Sequence, residues 1–532
     1  MPFDTTTYSE PFWAKSADFV RGRDPLGIQN SSISVYSILL PGMTNLTLRL
    51  RYYGFYLWLL EEYHNLPSDN YFKQNARGQY NVIRGAELLL SYFMVNKFPT
   101  EQSVVGSNFA FKYIDDLNKK SFYDIALGAD KFPETTKNSV YWDYTSGAFG
   151  QYYVGSLMAL QLVDIKTGGY FERTEKGKQL ANVYKNSIDD KEAIELFLKR
   201  INEGKLYAND LDELKDFALN KDITASSEEA FYLNLLLDID GQKFKNTKGV
   251  LSNQRKDTIE LFLTYLAANE VKEAWKDFPL TIYNAYLKNH TEIKNDASLG
   301  WYYYYLNELV HFSLETIFWG MLVQMEQKQM SIIDFIEVIT QSVLEHEGDN
   351  FDDLENLSVA EVIEIVAKFE ATTIDYINYI NENVKQNHFI TGICDGIFLL
   401  LKLYKESEIT NANLEQYATD FALFDKNGNA LSVFKNTITN NKNLKFADFV
   451  RTIVISIIND HTAIAYRKMG NGEMNLLKFI LEDNYLIHIE TMTPNFTSPR
   501  TKTLYNFLID LGLISKEGKL SKKANELISE ML

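Results

Sequence analysis

Cysteine is nearly absent from this chain, which excludes a disulfide-stabilised fold. The single cysteine, Cys394, cannot form a disulfide within the chain. It lies in an apolar stretch with no Lys, Arg or His close in sequence to lower the pKa of its thiol. We interpret it as a buried, unreactive thiol, and such a chain fits a reducing compartment.

Long uninterrupted hydrophobic runs are also missing. The most apolar stretches, Leu46 to Leu60 and Trp301 to Met325, are interrupted by charged residues, whereas a membrane-spanning helix needs about 20 consecutive apolar residues. The first residues lack the basic start and apolar core of a secretory signal. We therefore expect a cytoplasmic protein with no membrane partner.

Proline is scarce, with ten in 532 residues, and this leaves room for many uninterrupted helices. Helical periodicity dominates the chain, and few segments alternate apolar and polar residues as half-buried strands do. The predicted fold class is therefore mostly α: a multi-domain helical protein with two winged-helix-like segments that carry short β-hairpins.

The usual signatures of enzyme chemistry are missing as well. The sequence contains no Gly-rich phosphate loop, no dinucleotide fingerprint, no Gly-x-Ser-x-Gly elbow and no His-Glu-x-x-His motif. Two Glu-x-x-His steps, Glu61 to His64 and Glu308 to His311, are expected by chance in a chain with seven His and abundant Glu. We assign no catalytic residue, no metal ligand and no cofactor.

A chain of 532 residues is longer than one hydrophobic core usually serves. Composition and turn residues predict four regions: an N-terminal helical domain at 1–130, a winged-helix-like segment at 131–190, a central helical scaffold at 191–440 and a C-terminal winged-helix domain at 441–532. The scaffold contains predicted helices such as Ser227 to Leu237 and Val359 to Asn381.

The order helix, hairpin, helix occurs twice. Near the C-terminus, an apolar-periodic run from Leu504 to Leu511 stops at Gly512, and a turn at 516–519 precedes a second helical segment. Upstream, Tyr152 to Leu162 is followed by a short strand, a Gly168-Gly169 turn and a second helix. Both segments are typical of winged helices, which bind DNA or mediate protein assembly.

The two winged-helix-like segments differ in their local charge. The formal net charge is −18, yet residues 498–523 contain six Lys or Arg against two acids, whereas 331–370 contains eleven acids against one Lys. Because phosphate binding depends on local cation density, we expect the C-terminal copy to contact DNA. The predicted contacts are Arg500, Lys502, Thr503, Lys516, Lys519 and Lys522. The upstream copy has five cations against four acids over 142–185, and we interpret it as a packing or protein-interaction module.

An arginine and aromatic block follows Pro41-Gly42 in the N-terminal region. The sequence predicts a central helix that Thr44 caps and that contains Arg49 and Arg51. A second helix, Val82 to Val95, carries Arg84 and Glu87 at helical spacing. Arg49, Arg51 and Arg84 form a candidate anion site, because guanidinium groups make forked hydrogen bonds to phosphate. The alternative, which we favour, is that they pair with carboxylates such as Asp24, Glu61, Glu62 or Glu87.

The same block carries a family resemblance. Asp24-Pro25-Leu26-Gly27, the segment from Leu39 to Thr47 and the segment from Arg49 to Leu60 together resemble the N-terminal signature of an uncharacterised bacterial protein family. That family is associated with anti-phage defence and restriction-type gene clusters. The resemblance covers about forty residues and implies a biological setting; it brings no catalytic residues.

Three functional hypotheses follow. The first is a non-catalytic component of a bacterial anti-phage defence complex, whose C-terminal winged helix contacts DNA and whose acidic helical middle binds partner proteins. The second is a nuclease or nucleotide-processing effector with a site near the N-terminal arginine block. The third is an assembly or sensor subunit that uses its winged helices only for protein docking. A homo-oligomer is compatible with each.

Overall fold

A computed structural model describes residues 24–44, 48–74, 77–101, 104–129, 140–237, 244–245, 251–252, 254–269, 273–289, 296–347, 351, 353–423, 430–469 and 476–531. The fold is mostly α with small antiparallel sheets, as the sequence predicts. No helix within these ranges combines the length and apolar character that crossing a bilayer requires.

The α-helices in chain order are α1 (Gln29–Leu39), α2 (Arg51–Asn65), α3 (Tyr71–Gln74), α4 (Gly78–Lys97), α5 (Ser107–Lys112), α6 (Asp116–Lys120), α7 (Ile125–Ala129), α8 (Val154–Ala159), α9 (Glu175–Asn186), α10 (Lys191–Glu203), α11 (Asp210–Glu213), α12 (Ser227–Leu237), α13 (Gln254–Ala268), α14 (Phe278–Asn289), α15 (Asp296–Gln327), α16 (Ile332–Glu347), α17 (Val359–Val366), α18 (Thr373–Gln386), α19 (Phe389–Ile409), α20 (Asn411–Asp420), α21 (Ala430–Asn441), α22 (Phe446–Met469), α23 (Thr501–Asp510) and α24 (Lys522–Met531). A π-helical turn, Phe149–Tyr153, leads directly into α8.

The strands are β1 (Phe122–Asp124), β2 (Val163–Ile165), β3 (Phe171–Arg173), β4 (Lys205–Tyr207), β5 (Phe244–Lys245), β6 (Leu251–Ser252), β7 (Met330–Ser331), β8 (Phe479–Glu482) and β9 (Tyr485–His488). They form antiparallel pairs β1–β4, β2–β3 and β5–β6, together with a three-stranded sheet in the order β7-β9-β8.

The chain divides into two compact units that each draw on separate parts of the sequence. The first comprises Met1–Ile33, Leu306–Asn411 and Phe424–Thr497, and the second comprises Ser34–Tyr305, Ala412–Leu423 and Ser498–Leu532. The boundary between residues 497 and 498 falls inside the predicted C-terminal domain, 441–532. Strands β8 and β9 therefore belong to the first unit, and helices α23 and α24 belong to the second.

In the second unit, α2 is the central helix, as its aromatic sequence predicts. Its residues from Arg51 to Leu60 are all buried, and it packs against α9 and α4. The helix begins only at Arg51. The prediction that it contains Arg49 is therefore wrong, and residues 45–47 beside the predicted cap lie outside the described residues.

Both helix-hairpin-helix segments are present in the second unit. Upstream, β2 and β3 pair across a turn in which Gly168 and Gly169 have φ of +84° and +81°, values that favour glycine. Thr174 then caps α9 by accepting a hydrogen bond from Gly177 N at 3.1 Å. In the C-terminal copy the hairpin is reduced to a single bridge between Ile514 and Leu520.

The first unit is built from long helices and the three-stranded sheet. α16 packs against α19 and α22, and α18 packs against α19. The segment from Val359 to Asn381, predicted as one helix, is two helices. Thr372 starts α18 with a capping box in which its side chain accepts from Asp375 N and the Asp375 carboxylate accepts from Thr372 N.

Candidate nucleic-acid interface

The C-terminal element consists of α23, a tight turn and α24. Ser515 N donates to Lys519 O at 2.8 Å, and Ser521 N donates to Leu513 O at 2.8 Å. Gly518 occupies the turn with a φ of +84°. The turn therefore holds Lys516 and Lys519 on a short hydrogen-bonded loop between the two helices.

Most of α23 is buried within the second unit. The ring of Phe507 meets Tyr53 edge to face at a centroid distance of 5.7 Å, and Tyr505 meets Phe262 at 6.4 Å. Lys502 is the exposed position of this helix, with Asn506 half-buried one turn later. A helix that reads bases in the major groove presents several side chains from one free face, and α23 does not have such a face.

Of the predicted DNA contacts, Thr503 is buried and Arg500 is half-buried. Thr503 is 2% exposed and donates its hydroxyl to Thr44 O at 2.8 Å. The guanidinium of Arg500 lies 4.9 Å from the centre of the Tyr36 ring, and its Nε is buried with no hydrogen-bond partner among the described residues. Their sequence neighbourhood is basic, but these two side chains contribute to packing.

The other four predicted contacts, Lys502, Lys516, Lys519 and Lys522, are exposed. The ammonium of Lys502 lies 5.3 Å from the Trp275 ring centre, and that of Lys276 lies 5.1 Å from the same ring. Lys522 is 3.4 Å from Glu526, but an exposed pair of this kind contributes at most about 1 kcal/mol. Within the described ranges, Lys502, Lys516 and Lys519 form no salt bridge.

Two acidic side chains near these lysines are paired with cations of the protein. Asp510 accepts from Arg49 Nη1 at 2.5 Å and from Leu50 N at 3.0 Å. Burial raises the pKa of Asp510 to about 6, although Arg49 opposes the shift. Glu229, which is 4% exposed, pairs with Lys523 at 2.5 Å. The first helix and the turn therefore expose Lys502, Lys516 and Lys519 against one exposed acid, Glu517, whereas α24 exposes Glu526 and Glu530 beside Lys522.

The arginines of the N-terminal block are occupied by protein acceptors. Arg49 makes a forked pair with Glu101, with Nε–Oε1 at 2.8 Å and Nη2–Oε2 at 2.6 Å, in addition to its contact with Asp510. Arg51 is 1% exposed and donates to Glu228 at 3.1 Å and to the carbonyl of Ala218 at 2.5 Å. These carboxylate partners are not the ones predicted from the sequence, which were Asp24, Glu61, Glu62 and Glu87.

Arg84 and Glu87 do not form the helical pair that their spacing allows. Arg84 donates to the carbonyls of Ala129, Trp142 and Tyr144. Glu87 accepts from the Tyr56 hydroxyl at 2.7 Å, from the Tyr141 hydroxyl and from the amides of Ala148 and Phe149. Burial raises the pKa of Glu87, and these hydrogen bonds oppose the shift. Both side chains therefore tie α4 to the segment before the upstream hairpin.

The two Glu-x-x-His steps also have structural partners. In the second unit, Glu61 pairs with Arg173. In the first unit, Glu308 accepts from Thr497 N at 2.6 Å, and His311 Nε2 lies 3.0 Å from Glu315. Across the described part of the chain, no three His, Cys, Asp or Glu side chains are grouped so that they could hold a metal ion.

Comparisons with protein-family models, curated proteins and solved structures gave no match. The geometry and charge of the chain itself are therefore the basis for inferring its function.

Proposed function

We propose that this protein is a non-catalytic nucleic-acid-associated component that holds the phosphate backbone through the lysines of its C-terminal element. The observation that carries the proposal is that Lys502, Lys516, Lys519 and Lys522 face solvent with Glu517 as the exposed acid among them, while the half-buried Asp510 and the buried Glu229 are each paired with a cation. Such a surface attracts phosphate locally even on a chain of net charge −18.

The mode of binding that this surface supports is sequence-independent. Phosphate contacts position a protein on a duplex, whereas sequence is read by side chains that reach base edges. Because Thr503 is buried and Arg500 is half-buried against the Tyr36 ring, α23 has few side chains with which to read bases. We expect duplexes of unrelated sequence to bind with similar affinity.

The biological setting belongs to the same proposal. The resemblance of the block from Asp24 to Leu60 to a bacterial family associated with anti-phage defence supports a role in a defence complex. In such a complex the exposed acids of residues 331–370, such as Glu345, Glu355 and Glu370, supply a surface for basic partner proteins.

The test is the salt dependence of binding to a fluorescein-labelled DNA duplex, followed by anisotropy. Four phosphate contacts predict a slope of log K against log salt of roughly −3 to −4, at about −0.9 per contact. The combined variant K502Q/K516Q/K519Q removes the three of these lysines that form no ion pair with a described residue, and we expect it to bind at least about tenfold more weakly at low salt, with a slope near −1.

A charge-matched control separates the local surface from the net charge. Lys199, Lys288 and Lys385 are exposed lysines elsewhere, and K199Q/K288Q/K385Q lowers the net charge by the same amount. We expect this control to bind like the wild type. Equal losses in the two variants, or wild-type protein that shows no salt-sensitive binding, would overturn the proposal.

A further inference from the structure

The upstream hairpin is preceded by a helix with an apolar stripe facing solvent. The π-helical turn Phe149–Tyr153 and α8 together expose Gln151, Tyr152, Gly155 and Met158. Tyr152 is 37% exposed and Met158 is 42% exposed, and the two lie three residues either side of Gly155. Trp142 extends the stripe, because its ring meets Tyr152 edge to face at 6.1 Å.

Gly155 has no role in packing within the described part of the chain. A Cβ atom added at this position would meet no heavy atom within 4 Å. Glycine inside a helix is nevertheless about 1 kcal/mol less favourable than alanine. A position that has room for a side chain and yet exposes bare backbone, between two large apolar residues, suits close approach by a second helix.

The π-helical turn is an independent indication. Such turns are rare, appear mostly as single bulges within α-helices and are frequent at functional sites. Here the turn ends at Tyr153, which is buried against the rings of Tyr52, Tyr53 and Tyr56, while its neighbour Tyr152 faces solvent. The π-helical turn therefore buries Tyr153 and leaves the preceding residue, Tyr152, exposed to solvent.

Charge favours a second copy of this chain as the occupant. Residues 144–163 contain no charged side chain, in a protein of net charge −18. Two such acidic molecules repel over most of their surfaces, and repulsion is smallest where both present an uncharged face. A charged partner would gain no electrostatic attraction from this stretch.

The stripe is also complementary to itself. In an antiparallel helix pair with a two-fold axis at Gly155, Tyr152 of one copy lies opposite Met158 of the other, and the reciprocal contact forms on the far side of the axis. Symmetric dimers require this kind of match, and contacts between thioether sulfur and aromatic rings are favourable. The glycines at the axis let the two backbones approach closely.

We propose that this protein forms a homodimer in which the face of Tyr152, Gly155 and Met158 packs antiparallel against the same face of a second copy. The assembly is distinct from nucleic-acid contact, which uses a different element, so K502Q/K516Q/K519Q should dimerise like the wild type.

Sedimentation velocity of the full chain over a range of concentrations tests the dimer. We expect the wild type to shift from monomer to dimer as concentration rises. Met158→Glu and Gly155→Leu should each weaken the dimer at least tenfold. Ile333→Glu is the control, because Ile333 is 75% exposed on another helix and receives the same charge. A wild type that remains monomeric would mean that another molecule covers the face, and a second copy would be ruled out.

Cross-linking tests the antiparallel geometry. Position 152 of one copy and 158 of the other lie opposite each other, whereas the two copies of position 152 are offset by six residues, or about 9 Å along the axis. A disulfide spans at most about 7 Å between Cα atoms. A mixture of Tyr152→Cys and Met158→Cys proteins should therefore cross-link readily, and either variant alone should not. The reverse pattern would contradict the proposal.

Discussion

Buried charge is the main feature of this protein at the scale of single residues. Arg51 and Glu228 are each 1% exposed or less, and Arg51 Nη1 also donates to the carbonyls of Asp216 and Ala218. Burying a guanidinium costs several kcal/mol unless its donors are satisfied. Since these donors already have acceptors, the arginine joins distant parts of the second unit and leaves little hydrogen-bonding capacity for a phosphate.

Asp395 in the first unit is a half-buried acid that forms no salt bridge with any residue that the structure describes. It accepts from Asn383 Nδ2 at 2.8 Å, and burial, with a further contribution from the charge of Glu347, raises the pKa of Asp395 to about 7. An acid whose pKa is raised on folding binds its proton more tightly in the folded state. Its ionisation therefore destabilises the fold as pH rises from about 4, the unfolded value, through about 7.

Asp395→Asn should remove this destabilisation. The amide oxygen can still accept from Asn383, and we expect the variant to be more stable than the wild type by about 1–3 kcal/mol at pH 8, with the difference vanishing near pH 4. Urea unfolding across pH measures the effect. Asp375→Asn is the control with the opposite sign, because hydrogen bonds from Thr372 lower the pKa of Asp375. An Asp395→Asn variant that is less stable at pH 8 would refute the assignment.

At the scale of elements, the upstream hairpin and α9 are joined by one side chain. Thr174 accepts from Gly177 N to cap α9 and donates its hydroxyl to Gln161 O at 2.6 Å, just before β2. The backbone amide of Thr174 also donates to Leu162 O at 3.0 Å. The cap therefore fixes the angle at which the helix leaves the hairpin.

Thr174→Ala should weaken the start of α9. Loss of a threonine cap typically costs about 1 kcal/mol, and up to about 2. We expect faster amide hydrogen exchange at Gly177 and Lys178, and a similar loss in the free energy of local opening. Thr174→Ser keeps the hydroxyl and should exchange like the wild type. Equal exchange in the alanine and serine variants would show that the cap is not what holds this end of the helix.

Local signals explain which elements the sequence predicts well. The strand at Val163, the turn at Gly168-Gly169 and the helix after Thr174 follow from glycine conformation and capping, which involve neighbouring residues. The single helix predicted over Val359 to Asn381 is wrong because Thr372 and Asp375 form a capping box that starts a second helix. That signal was present in the sequence.

Long-range contacts explain which features of the candidate site could not be predicted from the sequence. Arg49 pairs with Asp510, 461 residues later, and with Glu101, 52 residues later. Thr503 turns inward because Thr44 O, 459 residues earlier, accepts its hydroxyl proton. The basic composition of residues 498–523 identifies the region, but only tertiary packing determines that Lys502 faces solvent and Thr503 does not.

At the scale of the whole molecule, salt acts in opposite directions on the stability of this chain, whose net charge is −18, and on its nucleic-acid binding. Excess like charge destabilises a compact state through self-repulsion, and salt screens that repulsion, with a Debye length of about 10 Å at 0.1 M. The same salt weakens contact between lysine and phosphate, because it reduces the gain from counterion release.

Sodium chloride should therefore raise the melting temperature while it lowers affinity for DNA. Between about 0.02 and 0.3 M salt, a screening gain on the order of 1 kcal/mol corresponds to a rise of roughly 1–2 °C for a chain of this length, measured by thermal unfolding without nucleic acid. The more negative K502Q/K516Q/K519Q variant should show a larger rise, since it has more repulsion to screen. Potassium chloride should act like sodium chloride if screening is the cause. A melting temperature that falls with salt would mean that attractive ion pairs such as Arg49–Asp510 and Arg51–Glu228 outweigh the repulsion of the excess acids.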